Sequence, residues 1–321
     1  MNHRLLVRYL KPFTYAIMSF DDDDNNDDDD SLLFGQTIVP VIPSEVHVRD
    51  NYKILGSSHG LFCLYCQHPI TRRFIYVIWN PSIRKSVVIK DPQTINRTVR
   101  RVSFGVFPVT RDPKLVRVNI DVDLKWFVEV YSLSSGSWRG ITNKVPRGTI
   151  NVYSQDDMVV TDRIIYWNAT DLHNDSRRLV VSFDLTSEEF TLIDIPDYIA
   201  DHKYEISKRR DSLVLLTYNK EFDIDKVVCD MWMMNNNGVS KTFTKLYNIT
   251  LPNMLPYRQV RGFTKSGTPI IKMGNWFVLG GLHVFEPNSE RFTKKIGTEE
   301  AGYGFEVYNY HEMLLLIDQS I

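Results

Sequence analysis

Hydrophobic positions in this chain come in short runs separated by turn-forming residues. The stretch FIYVIWNPSIRKSVVI, Phe74 to Ile89, is typical: six apolar residues, a break at Asn-Pro-Ser, then a second apolar run. β-Branched and aromatic residues on both sides of turn formers predict a β-hairpin. From Ser31 onward nearly all of the chain reads this way, and no apolar pattern of helical period exceeds ten residues. Many short strands at even spacing predict an all-β sandwich, barrel or propeller.

Internal similarity decides among these. The hairpin returns as EVYSLSSGSWRGI, VSFDLTSEEFTLI, CDMWMMNNNGVSKTFTKL and HVFEPNSERFTKKI. Its leading aromatics, Trp79, Tyr131, Phe183, Trp232 and Phe285, are 52, 52, 49 and 53 residues apart. Between the hairpins lie apolar strands centred near Leu61, Leu115, Ile164, Leu213, Ile270 and Leu314. A unit of about fifty residues holding an inner strand and an outer hairpin is a propeller blade. Trp79, Trp138, Trp232 and Phe183 are expected in the core between blades.

Six inner strands accompany five complete hairpins, so one blade is short. Pairing the C-terminal strand Met313–Ile317 with the unassigned β run Ser31–Ile42 would complete it and remove a free sheet edge. The expected fold is therefore an all-β propeller of six blades, each of about four strands, closed by its terminal segments. Seven blades follow if Ser86–Ile120 holds extra strands. A two-sheet sandwich is the alternative, because periodicity does not register closure.

Of the 321 residues, 43% are hydrophobic and 24% charged, an ordinary globular composition. No apolar run exceeds six residues, which excludes a transmembrane helix. The start, MNHRLLVRYLKPF, reads as neither a secretory signal nor an anchor, with a mitochondrial presequence as the minor alternative. Three cysteines, Cys63, Cys66 and Cys229, fit a reducing compartment. Cys63-x-x-Cys66 lacks a second pair to complete a zinc site, and residues three apart on a strand point to opposite faces. Four N-x-S/T triplets would matter only in a secreted chain.

Charge adds one feature. The run DDDDNNDDDD, Asp21 to Asp30, holds eight aspartates, without which the net charge of −1 would be +7. It reads as a solvated linker, and a tethered polyanion competes with phosphate, which argues against nucleic acid as a partner.

Candidate chemistry is sparse. Gly56–Gly60, GSSHG, places Ser58 in a G-x-S-x-G slot, but a strand follows where the nucleophile motif needs a helix. His311 in HEMLL lacks the second histidine of a zincin, and GYGF at Gly302 lacks the residues of a phosphate loop. Glu188–Glu189 and Glu299–Glu300 are neighbours in turns, expected to be solvated. The reading is no enzyme, no metal and no cofactor.

Several motifs taken in order resemble a known family. GSSHGLFCLYC, WNPSIRK, EVYSLSSGSW, SFDLTSEEF and MWMMNNNGVSKTFTKL are similar to the plant F-box-associated domain of type 1, over about Tyr52–Phe292. EVYSL, SFDL and SEEF lean towards the S-locus-like F-box group. The resemblance implies the substrate-recognition module of a cullin-based, SCF-type ubiquitin ligase. In that arrangement an N-terminal F-box docks on the Skp adaptor and the propeller selects a protein substrate. The F-box itself is missing from the pattern, and NHRLLVRYL is similar to the segment that follows it. The expected division is thus residues 1–31 as post-F-box remnant and acidic linker, and 32–321 as propeller. Skp adaptor and cullin are partners only if an F-box is restored. Without one, the alternative is a competitor or regulatory binding protein, and a propeller enzyme ranks below both. The implied location is cytoplasmic, nuclear or both.

Binding is expected on loops held by rigid sheets. Connections from inner strand to hairpin should share one face: QHPITRR, NATDLHNDSRR and NKEFDIDK. The candidate partner-binding residues there are Arg72, Arg73, His173, Asp175, Arg177, Arg178, Asp223, Asp225 and Lys226, because arginine forks and exposed charge suit protein recognition.

Overall fold

The computed structural model describes residues 3–10, 13–20, 35–38, 43, 52–67, 73–91, 99–142, 145–152, 158–174, 176–220, 226–236, 241–252, 257–264, 267–274, 281–287, 289, 291–296, 305–310, 312–315 and 317. The strands in chain order begin with β1 (His3–Leu10), β2 (Phe13–Phe20) and β3 (Gly35–Ile38). β4 (Lys53–Ser58), β5 (Leu61–Gln67), β6 (Phe74–Asn80) and β7 (Lys85–Lys90) form the next group. Then come β8 (Val99–Val106), β9 (Pro113–Ile120), β10 (Trp126–Ser132) and β11 (Ser137–Ile141). They are followed by β12 (Ile150–Val152), β13 (Met158–Val160), β14 (Ile164–Asp171), β15 (Arg177–Asp184), β16 (Phe190–Asp194) and a one-turn helix, α1 (Asp197–Ala200). β17 (Tyr204–Arg209), β18 (Ser212–Lys220), β19 (Lys226–Asn236) and β20 (Lys241–Pro252) make another set. The last are β21 (Tyr257–Phe263), β22 (Pro269–Gly274), β23 (Gly281–Glu286), β24 (Arg291–Ile296) and β25 (Phe305–Tyr310).

These strands form six antiparallel sheets, and the fold is a six-bladed β-propeller. Five sheets follow chain order, β4–β7, β8–β11, β12–β16, β17–β20 and β21–β24; the sixth runs β25-β1-β2-β3. In the β12–β16 blade the first strand is split, because β12 and β13 both pair with β14. The chain makes two compact units of three blades each. One comprises Met1–Pro40 and Asp201–His311, the other Val41–Ala200 and Glu312–Ile321.

Closure uses the two ends of the chain, but not the expected segments. β25 pairs with β1 from Arg4↔Tyr310 to Tyr9↔Phe305. Leu5, Leu6, Val7 and Arg8 are all buried there, so residues before 31 belong to a blade and the expected boundary at 31/32 gives way. The misreading has a physical cause. β1 is covered on both faces and shows no alternation, and its buried Arg8 is neutralised by Glu306 at 3.0 Å. Gly35–Ile38 pairs with β2, not with the C-terminus. The aspartate run lies outside the described residues.

Met313–Leu315 is no strand. Asn80 Nδ2 donates to the carbonyls of Met313 and Leu315, at 2.9 Å each. Asn80 Oδ1 accepts the Ser82 N–H at 3.0 Å, and Ser82 Oγ accepts the Met313 N–H at 3.2 Å. The Asn-Pro-Ser turn between β6 and β7 therefore grips the tail, and Ile317 enters the core between the β4–β7 and β8–β11 blades. Among its described residues, the stretch Ser86–Ile120 holds β7, β8 and β9 and no additional blade.

The repeat is also visible at the level of side chains. Tyr131↔Trp138, Phe183↔Phe190 and Phe285↔Phe292 are direct cross-strand partners, with ring centroids 5.4, 4.8 and 5.3 Å apart. Such pairs stabilise a hairpin beyond simple area burial. Trp232 departs from this pattern: a register shift between Met231 and Trp232 sets it opposite Lys245. Trp79 and Phe183 are buried as expected, and half-buried Trp138 packs against the core between the β4–β7 and β8–β11 blades, whereas Trp232 is half-buried with Lys245 over its ring.

Five of the six apolar runs read as inner strands, all but the one near Leu314, are the second strands of their blades. Ahead of each runs a less apolar first strand, and within a unit the first strands approach one another: β4 with β8, and β21 with both β17 and β25. Cores fill the gaps between blades. Val116, Val118, Trp126 and Val130 pack on Ile165, Trp167, Val181 and Phe183 in one gap. Val214, Leu216 and Met231 pack on Val260, Ile271 and Phe285 in another.

Candidate functional site

In an up-and-down blade, the loop between second and third strands leaves at the same end as the exit from the fourth. In the β8–β11 and β12–β16 blades the described parts of these connections are tied to one another as a rim. The β9–β10 loop is tied internally, with Asp121 Oδ1 accepting the N–H groups of Asp123 and Lys125 at 3.0 and 2.8 Å. A methyl group at Gly148 would come within 3.3 Å of the Leu124 carbonyl, so the segment entering β12 lies against that loop. Leu172 N–H donates to Thr149 O at 2.9 Å, which joins the β14–β15 loop to the same segment. Arg178 Nη1 donates to Ala200 O at 3.2 Å, which adds α1. Asp171 Oδ1 accepts the His173 N–H at 3.1 Å and closes the β14–β15 turn. Apolar side chains stand out from these tied loops: Val122 is 82% exposed, Tyr198 52% and Leu172 43%. Rigid loops displaying apolar and cationic side chains suit protein recognition.

The predicted binding residues divide accordingly. His173, Arg177 and Arg178 share the β14–β15 loop and the start of β15. Arg177 is exposed, 3.8 Å from Asp194, whereas Arg178 is half-buried and spends one donor on α1. Arg73 is exposed immediately before β6 on its own blade. Lys226 begins β19. Arg72, Asp175, Asp223 and Asp225 lie outside the described residues.

Sequence reading missed two ionic clusters. Arg117, fully buried in β9, donates to Asp91 Oδ1 at 2.5 Å and to Glu129 Oε2 at 2.6 and 2.9 Å. The Trp138 ring lies 4.3 Å from the guanidinium carbon, and Tyr76 Oη donates to Asp91 at 3.4 Å. This cluster pins the β4–β7 blade to the β8–β11 blade. The available signal was an arginine in the middle of the apolar strand PKLVRVNI.

The second cluster joins the next pair of blades. Lys114 Nζ donates to Glu188 Oε1 at 2.8 Å and to Leu185 O at 3.1 Å, and Arg139 also pairs with Glu188. Glu188 is therefore a clamp and not a solvated turn residue. Burial disfavours its charged form, but hydrogen bonds from Arg139 and Lys114 outweigh burial and hold its pKa below the ordinary 4.5. The stability this adds is full above 4.5 and is lost as pH falls through the lowered value. Glu188→Gln is expected to cost about 1–2 kcal/mol at neutral pH. That gap should close progressively below the ordinary 4.5, as read from urea denaturation across pH.

Ser58 lies in a hairpin. His59 and Gly60 turn β4 into β5 with φ of 48° and 73°, the signs a two-residue type I′ turn requires. Ser58 Oγ accepts the Val106 N–H at 3.2 Å, which links two blades. Cys63, Cys66 and Cys229 are buried thiols, and burial pushes the pKa of Cys63 and Cys229 up, away from reactivity. Among the described residues, no three His, Cys, Asp or Glu side chains stand together as a metal site.

Comparison with known proteins places these features in a family. A family model described as the F-box associated β-propeller domain matches residues 15–312. The type 1 label and the S-locus-like lean are finer than that match. The chain is 24% identical to an F-box/kelch-repeat protein of Arabidopsis thaliana, over 64% of this chain and 55% of that protein. It is 25% identical to F-box protein CPR1 of the same plant, over 62% and 52% respectively. The chain thus spans about half the length of the curated relatives it matches. Among solved structures, the β-propeller domain of the trilobed protease from Pyrococcus furiosus matches with TM-score 0.41 and 12% identity, over 73% of this chain and 80% of that one.

Proposed function

Because the chain belongs to the F-box associated β-propeller family, we propose that it is the protein-binding part of a substrate receptor for a cullin-based, SCF-type ubiquitin ligase. In this role it is non-catalytic. It holds a protein substrate while an F-box, linked to the Skp adaptor and cullin, brings the ubiquitin-transfer machinery. The setting of that role is the cytoplasm or nucleus.

One observation carries the reading beyond family membership. The rim of tied loops from Asp121 to Ala200 presents Val122, Leu172 and Tyr198 beside His173 and Arg177. Apolar anchors bordered by cations are what a protein interface uses, with most binding energy in a few central side chains. Ser58 acts as a blade-to-blade contact in this reading: its Oγ accepts the Val106 N–H, and His59 Nδ1 lies 3.1 Å from it in the same β4–β5 turn.

The test compares two ends of one unit. Val122→Asp combined with Leu172→Asp changes the rim. Val109→Asp changes an equally exposed residue in the β8–β9 turn, at the other end of the same blade. Quantitative capture from plant extract should show partners reduced at least about tenfold by the rim pair and within about twofold by Val109→Asp. Equal capture by all three proteins sinks the assignment of this face.

A further inference from the structure

The segment from Glu312 to Ile317 lies on the β6–β7 turn as a bound peptide would, within the compact unit that holds β4–β16. Its described residues form no strand, yet their side chains alternate between inside and outside. Leu315 packs on the core and Ile317 is buried in it, whereas Leu314 is 81% exposed. Two side chains of the turn hold the backbone. Asn80 Nδ2 bonds the carbonyls of Met313 and Leu315 at 2.9 Å each, two residues apart, which is the spacing a neighbouring strand would use. Ser82 Oγ accepts the Met313 N–H at 3.2 Å. Asn80 has no exposed surface, and its third hydrogen bond goes to the Ser82 N–H, so its polar atoms are all engaged only while a peptide is present.

The other two blades of this unit close the same position from within. Counting from the pairs Trp79↔Ser86, Tyr131↔Trp138 and Phe183↔Phe190, the residues equivalent to Pro81 are Leu133 and Leu185. Both are buried, and their N–H groups donate to Pro113 O and Arg163 O, each at 3.0 Å. Pro81 has no N–H to make that bond. Where the β10–β11 and β15–β16 turns use their own leucine, the β6–β7 turn takes its apolar side chains from a segment more than 230 positions away, as the separations of 233 and 235 record.

We infer that the Asn80–Ser82 turn is a binding site for an extended peptide of a partner protein, apolar at alternate positions, and that Met313–Ile317 occupies it as a tethered stand-in. Bonds from Asn80 and Ser82 fit any extended backbone, and the Leu315 and Ile317 positions select apolar side chains two residues apart. A tethered segment competes at an effective concentration on the order of mM, so it gates the site against weak ligands. The β6–β7 turn lies at the end of its blade opposite the rim, so this site and the rim can fail separately.

The experiment uses the full chain carrying Ile317→Asp, which releases its own segment, and a fluorescent synthetic peptide of residues 312–321. Saturable binding is expected, weakened at least about tenfold by adding Asn80→Leu to the chain or by placing Ile317→Asp in the peptide. The unaltered chain should bind at least about tenfold more weakly than the Ile317→Asp chain, because its segment competes. A second measurement needs no variant: excess peptide should speed amide exchange at residues 313–317 of the unaltered chain at least about threefold, by mass spectrometry. Either response supports the inference. Binding unchanged by Asn80→Leu overturns it, as does the absence of both saturable binding and faster exchange. A dimer of the unaltered chain that Asn80→Leu dissolves would give the site to a second copy and overturn the partner assignment.

Discussion

Arg117→Met is expected to destabilise the β4–β16 unit by about 3–5 kcal/mol, the usual consequence of stranding a buried charge. Asp91 side-chain exposure is 0%, and Arg117 is its ion-pair partner among the described residues. Removing the guanidinium strips the charged partner from a carboxylate with no exposed surface, and the Tyr76 hydrogen bond at 3.4 Å is too long to replace it. Glu129 fares better because its side chain is 23% exposed and can turn to solvent. Replacing both partners, Arg117→Met with Asp91→Leu, should recover most of the loss, since apolar pairs of similar volume commonly match buried ion pairs. Urea denaturation of the two variants separates the cases. A cost below about 1 kcal/mol for Arg117→Met alone contradicts a closed, dry cluster.

Leu6→Asp is the second large effect. Leu6 has no exposed surface and stands between Tyr308 on β25 and Ile17 on β2. An unpaired carboxylate at that point is incompatible with packing on both sides and should cost more than about 4 kcal/mol. The contrast is Leu314→Asp. It lies near the other end of the chain, in the segment whose sequence suggested the closing strand, yet Leu314 is 81% exposed. Its cost should stay within about 0.5 kcal/mol. Near-equal losses in thermal unfolding would mean that β1 does not close the blade.

These two cases show what the sequence could and could not reveal. Second strands such as LFCLYCQ, buried at five of seven positions, stand out as continuous apolar runs. First strands such as YEISKR bury only Tyr204, and their mixed composition hides them between turns. Hairpin spacing survived because each aromatic faces its partner seven residues on, at Tyr131–Trp138, Phe183–Phe190 and Phe285–Phe292. Terminal pairing was foreseen in kind but assigned to the wrong segments. A strand that buries an arginine, as β1 does with Arg8, is readable only once Glu306 is known to lie opposite.

The same limit applies to the sites. The loop NATDLHNDSRR was picked out by its charge, and it does stand on the rim, but Val122 and Tyr198 are single apolar residues inside DVDLK and PDYIADHK, loops outside the inner-strand-to-hairpin connections that were singled out. Glu188 read as a solvated turn residue and Arg117 passed unmarked within an apolar strand, because clamps between blades join residues 74 and 26 positions apart in sequence. Long-range pairing of that kind has no local pattern.

The central claim is that this propeller chooses a protein for destruction. The direct measurement is the lifetime of a rim-dependent partner in plant cells, after an F-box is fused to the N-terminus of the chain. The account predicts faster, cullin-dependent loss of that partner with the fusion, abolished by Val122→Asp/Leu172→Asp, and slower loss with the unfused propeller. A partner lifetime unchanged by the fusion would contradict it.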